Sequence, residues 1–356
     1  MSDISNISNQ CIGLLRELIK TLSLSKEEEN AAELIRAFLK ANNITFATHL
    51  NNTWCYNKHY DSNRPTILLN SHIDTVKPAV GWPVDPLGAI EEDGKLIGLG
   101  SNDAGAALVS LLATFLHYFD QQDLPYNLCF AATAEEEISG KNGIASIPNI
   151  TEKCDFAIVG EPTEMQIATA ERGLMVVDAV AKGKTGHAAR DEGINALYLA
   201  VEDIQWIKNF QFDKQDEYLG PIKMTVTMIE AGYQHNVVPD ECKYVIDIRT
   251  VDTYSYEEIL STINANVHAE INARSTRLKP SSIDKNHPIV KAAKSLGITT
   301  FGSSTLSDQA LLSIPSIKMG PGKSERSHTP GEFIFIAEIE EGIKTYIRLL
   351  NELFKK

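Results

Sequence analysis

The sequence predicts an α/β protein in which a larger domain, with a mainly parallel central sheet flanked by helices, is interrupted by an inserted ferredoxin-like α+β domain. The chain has 356 residues, more than one hydrophobic core usually organises. Residues 1–170 alternate helical and strand-like patterns, whereas residues 171–283 follow a different order of elements. We therefore expect one domain formed by residues 1–170 and 284–356, and a second formed by residues 171–283.

The larger domain contains apolar residues at helical spacing, which predict helices over residues 11–22, 26–41 and 104–118. Short apolar runs predict buried strands over residues 66–70, 127–133 and 155–159. A polar cluster follows each strand. Because ligands of open α/β sheets bind beyond the carboxyl ends of the strands, the three clusters indicate one functional site.

The inserted segment has the order strand, helix, strand, strand, helix, strand. The predicted strands cover residues 173–182, 222–230, 242–250 and 273–278, and the predicted helices cover residues 194–210 and 254–268. This is the order of the split ferredoxin-like motif, which can form a small domain of its own.

The composition excludes several classes of partner. The formal net charge is -14, whereas nucleic acids and anionic membranes attract clustered Lys and Arg, so we expect neither partner. The first ten residues lack the regions of a signal peptide, and no stretch approaches the roughly 18–20 apolar residues that span a bilayer. The five scattered cysteines form no C-x-x-C pair, so we expect reduced, structural cysteines and a cytoplasmic protein.

The first polar cluster contains His72 and Asp74. Residues i and i+2 of a strand point to the same face, so the two side chains are expected to be neighbours. A metal-bound histidine usually donates its other ring N–H to a carboxylate, which suits His72 as a ligand and Asp74 as the residue that orients it. A surface His–Asp pair is the alternative, but it does not explain the apolar run before it.

Asp103 ends a glycine-punctuated turn before the helix predicted over residues 104–118. An aspartate at this place suits an N-cap. It also suits a carboxylate that bridges two metal ions, and the local pattern leaves both roles open.

The second polar cluster consists of three consecutive glutamates, Glu135, Glu136 and Glu137. Adjacent carboxylates after an apolar strand are costly unless a cation or a proton neutralises them. One glutamate can bind a metal while its neighbour serves as a general base for water. Glu161 and His328 add a carboxylate and a second imidazole. This donor set, which contains no Cys, suits zinc and also cobalt or manganese.

Seven segments of the chain resemble the zinc-dependent aminoacylase and carboxypeptidase family, of the acetylornithine deacetylase and succinyl-diaminopimelate desuccinylase type. They occur in the family's order and extend over nearly the whole chain: SHIDTV (71–76), GLGSND (98–103), TAEEEISG (133–140), VGEPT (159–163), KGKTGHAA (182–189), NVVPDECKYVIDIR (236–249) and SHTPGEF (327–333).

The resemblance implies that the larger domain is catalytic and holds two Zn²⁺ ions, which Co²⁺ or Mn²⁺ can replace. The implied ligands are His72, Asp103 and Glu161 for one ion, and Asp103, Glu137 and His328 for the other. The resemblance also makes Asp74 the orienting residue and Glu136 the general base. Three consecutive glutamates leave this assignment open to a slip of one residue.

The resemblance further implies that the inserted domain serves as a lid and a homodimerisation domain. In the family, the histidine at the position of His187 steadies the oxyanion, and the arginine at the position of Arg249 pairs with the substrate carboxylate. Asn236 and Ser304 are expected to line the substrate pocket. The alternatives are a loop residue for His187 and a structural salt bridge for Arg249.

We therefore predict a metal-dependent amide hydrolase that deacylates a small N-acyl amino acid, with N-acetylornithine or N-acetylcitrulline of arginine biosynthesis as the first choice. Succinyl-diaminopimelate desuccinylation, dipeptide cleavage and release of an amino acid from a carrier protein are the alternatives. A metal-free binding or regulatory homologue is a different class, and the presence of all five ligands and the base argues against it.

Overall fold

A computed structural model describes residues 4–355 and shows a mixed α/β architecture, as the sequence predicts. Contacts between Cα atoms divide the chain into two compact units. The first comprises Met1–Thr169, Ser282–Phe301 and Ser307–Lys356, and the second comprises Ala170–Ser281 and Gly302–Leu306. Each unit buries its own cluster of apolar side chains.

The chain begins with the helices and strands of the first unit. In order they are α1 (Ile4–Ile19), α2 (Glu29–Ala41), β1 (Ala47–His49), β2 (Asn52–Tyr56), β3 (Thr66–His72), β4 (Ile90–Glu92), β5 (Lys95–Ile97), α3 (Ala106–Tyr118), β6 (Asn127–Thr133), α4 (Pro148–Thr151), β7 (Phe156–Gly160) and β8 (Ile167–Glu171).

The remaining elements cover the second unit and the return to the first. They are β9 (Gly173–Lys182), β10 (Gly186–His187), α5 (Ala196–Asn209), β11 (Lys223–Ala231), β12 (Val237–Val238), β13 (Glu241–Thr250), α6 (Tyr256–Asn264), β14 (Glu270–Ala273), β15 (Ser281–Ser282), α7 (Pro288–Ser295), β16 (Thr300–Ser303), β17 (Ser316–Met319), β18 (Phe333–Phe335) and α8 (Ile336–Phe354).

The central sheet of the first unit contains the strand order β1-β2-β6-β3-β7-β17-β8. Its inner strands β6, β3, β7 and β17 are parallel, so their carboxyl ends lie at one edge. Every residue of β3, β6 and β7 is buried, as expected for strands covered on both faces. Helix α3 is almost wholly buried and packs against β3, β6, α1 and α8.

The second unit has an antiparallel sheet in the order β11-β13-β9-β14, and α5 packs against its three strands β9, β11 and β13. Numbered along the chain, this order is 2-3-1-4, the arrangement of the ferredoxin-like fold that the sequence predicts. Residues of β9 alternate between buried and half-buried, with Met175, Val177 and Ala179 facing the core.

Several element bounds differ from the prediction for identifiable reasons. Helix α2 begins at Glu29 rather than at residue 26, because Lys26 adopts a φ of 78° in the preceding loop. Helix α3 begins at Ala106, after a separate turn over Ser101–Gly105. The last strand of the second unit lies at Glu270–Ala273, where it pairs with β9, rather than at residues 273–278.

No helix within residues 4–355 combines the length and the apolar character that crossing a bilayer requires.

Candidate metal centre

His72 is the last residue of β3, and its ring is fixed from one side. The Nδ1–H donates to the backbone carbonyl of Asp74 over 2.8 Å, while the Asp74 carboxylate oxygen Oδ1 lies 3.4 Å away. The backbone carbonyl of Asp74 is thus a nearer acceptor than its carboxylate. The strand ends before Asp74, so the i, i+2 alternation of side chains no longer applies there. A donating Nδ1 leaves the lone pair of neutral His72 on Nε2, which lies 3.3 Å from Asp103 and 3.8 Å from Glu161.

Asp103 presents its two carboxylate oxygens to two different imidazoles. Its Oδ1 lies 3.3 Å from Nε2 of His72, and its Oδ2 lies 3.4 Å from Nε2 of His328. The residue is not the N-cap of α3, because α3 starts at Ala106 and Gly105 occupies its N-cap position. A carboxylate held between two imidazoles has the geometry that a ligand shared by two metal ions requires.

The three consecutive glutamates point in different directions. The carboxylate of Glu135 accepts hydrogen bonds from the backbone N–H and the side-chain amide of Asn142, over 3.1 and 2.7 Å. A Cβ at Gly140 would lie 2.0 Å from Oε2 of Glu135, so only glycine leaves room for this arrangement. Glu137 instead lies with its Oε2 3.0 Å from Nε2 of His328.

The donor atoms form two overlapping groups whose members all lie within 4.8 Å of one another. One group is His72, Asp103 and Glu137, and the other is His72, Glu136 and Glu161. Glu136 therefore belongs to the same cluster as the predicted ligands.

A buried carboxylate oxygen without a hydrogen-bond partner, which we call the orphaned oxygen, supports the presence of a cation. Oε1 of Glu137 is buried and has no hydrogen-bond partner among residues 4–355. A buried, unpartnered carboxylate oxygen is costly, and a metal ion would satisfy it. The donors are imidazole nitrogens and carboxylate oxygens, which fit Zn²⁺, Co²⁺ or Mn²⁺.

The electrostatics of the cluster also call for positive charge. Burial, reinforced by the charges of Glu161 and Asp103, raises the pKa values of Glu136 and Glu161 well above their usual range. Burial opposes the charged form of His72, but its bonds to Asp103 and Asp74 outweigh this and raise its pKa. The hydrogen bond to Glu137 raises the pKa of His328 to about 9. A bound cation would take the place of these protons.

Glu332 and Asn102 are site residues that the sequence reasoning did not assign. The Oε1 of Glu332, which is 2% exposed, accepts the backbone N–H groups of Asn102 and Asp103 over 2.9 Å each. The side-chain amide of Asn102 donates to the carbonyl of Lys323 and the hydroxyl of Ser327. These bonds join the segment that carries Asp103 to the loop that carries His328. Asn102 lies in the GLGSND segment and Glu332 in the SHTPGEF segment, so their place in these family-like segments could have marked them as site residues.

The other predicted site residues belong to the second unit. His187 is exposed on β10, where its Nδ1 accepts the N–H of Ala189. Arg249 donates two hydrogen bonds to the Asp247 carboxylate, over 2.8 and 3.1 Å. Asn236 is half-buried, and Ser304 is exposed in the segment Gly302–Leu306.

Comparison with known proteins identifies the family. The profile of peptidase family M20/M25/M40 matches residues 68–352, which is most of the chain. The chain belongs to this family. It is therefore a metal-dependent hydrolase that acts on amide bonds.

Two curated relatives and one solved structure illustrate the similarity. A probable carboxypeptidase of Aspergillus oryzae is 24% identical over 386 residues, covering 96% of this chain and 87% of the relative. An acetylornithine deacetylase of Proteus mirabilis is 28% identical over 295 residues, covering 77% of this chain and 76% of the relative. The crystal structure of aminopeptidase PepT from Bacillus cereus has a TM-score of 0.79 at 19% identity, covering 98% and 99% of the two chains, which is a likeness of fold.

Proposed function

We propose that the chain is a dinuclear zinc deacylase of a small N-acyl amino acid, with N-acetylornithine or N-acetylcitrulline of arginine biosynthesis as its substrate. The observation that carries the dinuclear part is Asp103, whose two oxygens face His72 and His328 separately. The substrate assignment is supported by the acetylornithine deacetylase among the relatives. The cytoplasmic location predicted from the sequence is part of the same proposal.

The proposed ligands fall on the two sides of Asp103. His72 and Glu161 would hold one ion together with Asp103, and Glu137 and His328 would hold the other together with Asp103. When bound, the two ions supply a Lewis acid for the scissile carbonyl and lower the pKa of water. The orphaned Oε1 of Glu137 supports its assignment as a ligand, because it has no other partner among residues 4–355.

Glu136 is the general base of the proposed reaction. Its carboxylate lies in the donor cluster with His72 and Glu161, while its backbone N–H is held by Oδ1 of Asp74 over 3.0 Å. From this place it takes a proton from the attacking water and passes it to the nitrogen of the leaving amine. Asp74 fixes both the His72 ring and the backbone of Glu136, so it positions a ligand and the base together.

The second unit supplies the lid and dimerisation functions of the proposal. His187 would donate to the oxyanion, and Arg249 would bind the substrate carboxylate, with Asn236 and Ser304 lining the pocket. The side chain of Arg249 is 36% exposed and already paired with Asp247, so substrate binding must share or exchange that pair.

A homodimer through the second unit is supported by its exposed apolar residues. Strand β11 is an edge strand on which Met228 and Ile229 are 64% and 51% exposed, and Tyr198 of α5 is 67% exposed. An open edge with apolar side chains is a surface that another chain readily covers.

Peptide cleavage is the second candidate. The carboxypeptidase relative matches along 96% of the chain, whereas the acetylornithine deacetylase matches along 77%. Both reactions break an amide bond next to an amino acid, so the same metal centre serves either one.

Amine release from a panel of substrates tests the function. The panel contains N-acetylornithine, N-acetylcitrulline, succinyl-diaminopimelate, a dipeptide and a carrier-linked amino acid, each assayed with zinc, with cobalt and after chelation. Metal-dependent turnover of an acetyl substrate supports the proposal. Turnover of the dipeptide or the succinyl compound alone overturns the substrate assignment and keeps the chemistry. A protein that binds no metal would belong to the metal-free class.

A further inference from the structure

We infer that Glu28, a residue far from the ligands in sequence, is a positioning residue that fixes the turn presenting Glu136 and Glu137 to the metal centre. This inference rests on the proposed dinuclear site. Glu28 is 0% exposed and lies directly before α2, in the segment of residues 23–28, SLSKEE, which we call the supporting loop.

The Glu28 carboxylate is buried, and its described partners are uncharged hydrogen-bond donors rather than basic side chains. Its Oε1 accepts the N–H of Lys26 over 2.6 Å and the N–H of Glu135 over 3.2 Å, and its Oε2 accepts the side-chain amide of Asn51 over 2.8 Å. No Lys, Arg or His within residues 4–355 forms an ion pair with it. Burying a carboxylate is costly unless hydrogen bonds replace its water, and here three uncharged donors do so.

A carboxylate suits this position because it only accepts hydrogen bonds. A glutamine that keeps its oxygen toward the N–H groups of Lys26 and Glu135 places its NH₂ group against the side-chain amide of Asn51, which must then rotate to accept. One of the two carboxylate oxygens holds the backbone N–H of Glu135, 107 residues away in the chain.

The turn after β6 needs such support. Glu135 has a φ of 56°, in the left-handed region that is unfavourable for a non-glycine residue. Three successive N–H groups are held by carboxylates: that of Glu135 by Glu28, and those of Glu136 and Glu137 by the two oxygens of Asp74 over 3.0 and 3.1 Å. With every N–H fixed, the backbone sets the direction in which the Cα–Cβ bonds of Glu136 and Glu137 leave the chain.

The supporting loop also holds Asp74 itself. The hydroxyl of Ser25 donates to Oδ2 of Asp74 over 2.7 Å, and the hydroxyl of Ser23 donates to the carbonyl of Ile73 over 2.8 Å. Thr75 returns its N–H to the carbonyl of Ser23. One short loop therefore braces both the residue that orients His72 and the turn that carries the base and a ligand.

The matched control is Asp203 in the second unit. It is 1% exposed and also accepts two backbone N–H groups, of His268 and Ala269, and one uncharged side-chain donor, the hydroxyl of Tyr244. Replacing either carboxylate by an amide removes a buried charge and one of its two acceptor oxygens. Only the change at Glu28 touches the turn of the metal centre.

The experiment compares Glu28→Gln and Glu28→Asp with Asp203→Asn in the full chain. We measure the thermal midpoint, the number of zinc ions per chain, and zinc affinity by competition with a chromophoric chelator. The kcat and KM are measured on any substrate that the wild type turns over. We expect the Gln variant and the control to lose stability. Only the Glu28 variants should weaken zinc affinity, by about 10–100-fold, and lower kcat more than they raise KM.

Glu28→Asp keeps the charge but draws the carboxylate back by one methylene, so it remains informative where Glu28→Gln does not fold. Wild-type zinc affinity in either folded Glu28 variant overturns the inference, as does an equal loss in Asp203→Asn. A wild type that binds two zinc ions but hydrolyses no panel substrate refutes the proposed substrate alone, since the affinity comparison still decides the role of Glu28.

Discussion

Replacing the three consecutive glutamates one at a time by glutamine should produce three different defects. Glu136→Gln removes the proposed base, and a positioned base contributes roughly 10²–10⁴-fold to the rate. At about 1.36 kcal/mol for each factor of ten, the loss corresponds to about 2.7–5.4 kcal/mol of transition-state stabilisation. We expect kcat to fall by this factor while two metal ions per chain remain.

The metal-free Glu136→Gln protein should be no less stable than the wild type. The Glu136 side chain makes no hydrogen bond to another group within residues 4–355, and burial and Glu161 raise its pKa well above the usual range. A carboxyl whose folded-state pKa is raised destabilises the fold at pH values above its unfolded pKa. Neutralising it at neutral pH therefore relieves repulsion.

The neighbouring glutamates provide the comparison. Glu137→Gln should lower the metal content toward one ion per chain, because Glu137 faces His328 and carries the orphaned oxygen. Glu135→Gln should cost about 1–3 kcal/mol of stability by setting an NH₂ group against a donor of Asn142, and should keep both ions.

Steady-state kinetics are measured on the panel compound that the wild type hydrolyses. Metal content is measured by plasma emission analysis, and stability by thermal unfolding after chelation. Glu136→Gln with full metal content and more than a few per cent of wild-type kcat would refute its role as the base. Loss of a metal ion from Glu136→Gln would instead make it a ligand. Loss of rate with both ions retained in Glu135→Gln, together with loss of a metal ion from Glu136→Gln, would show that the assignment has slipped by one residue.

Three further outcomes are expected. Asp103→Asn should leave fewer than two metal ions per chain in plasma emission analysis, because it removes the charge shared by two imidazoles; two tightly bound ions would contradict a bridging role. Tyr244→Phe should cost about 0.5–1.5 kcal/mol in urea unfolding, since Asp203 keeps its two backbone donors, and should leave zinc affinity unchanged. Ile229→Lys on β11 should convert a dimer to a monomer in light scattering, while Thr48→Lys, on the exposed strand β1 of the first unit, should not; a dimer that survives Ile229→Lys would place the interface elsewhere.

Much of the fold follows from the local sequence pattern. Strands β6 and β9 occupy the predicted residues, 127–133 and 173–182. The pattern of apolar side chains in the sequence matches the continuous burial of β6 and the alternating burial of β9. The fold of the second unit follows in the same way from the order of its elements. Errors occur where a local pattern competes with a distant partner, as at residues 26–28, which have helical character but serve as the supporting loop.

The residue types of the candidate metal centre are also visible in the sequence, because imidazoles and carboxylates placed after buried strands have few other uses. Their individual directions could not. Glu135, Glu136 and Glu137 are identical in type, and only the contacts with Asn142, Asp74 and His328 separate them.

The sequence by itself therefore determined the fold class and the family, and it proposed the set of candidate donors. The tertiary structure decided which oxygen faces which imidazole, and it revealed Glu28 and Glu332 as the carboxylates that hold the backbone beneath the donors. These two act through hydrogen bonds to residues 107 and 229–230 positions away. The periodicity of apolar residues along a helix or strand indicates which of its faces is buried. A hydrogen bond between distant segments, by contrast, exists only once packing has brought both segments together.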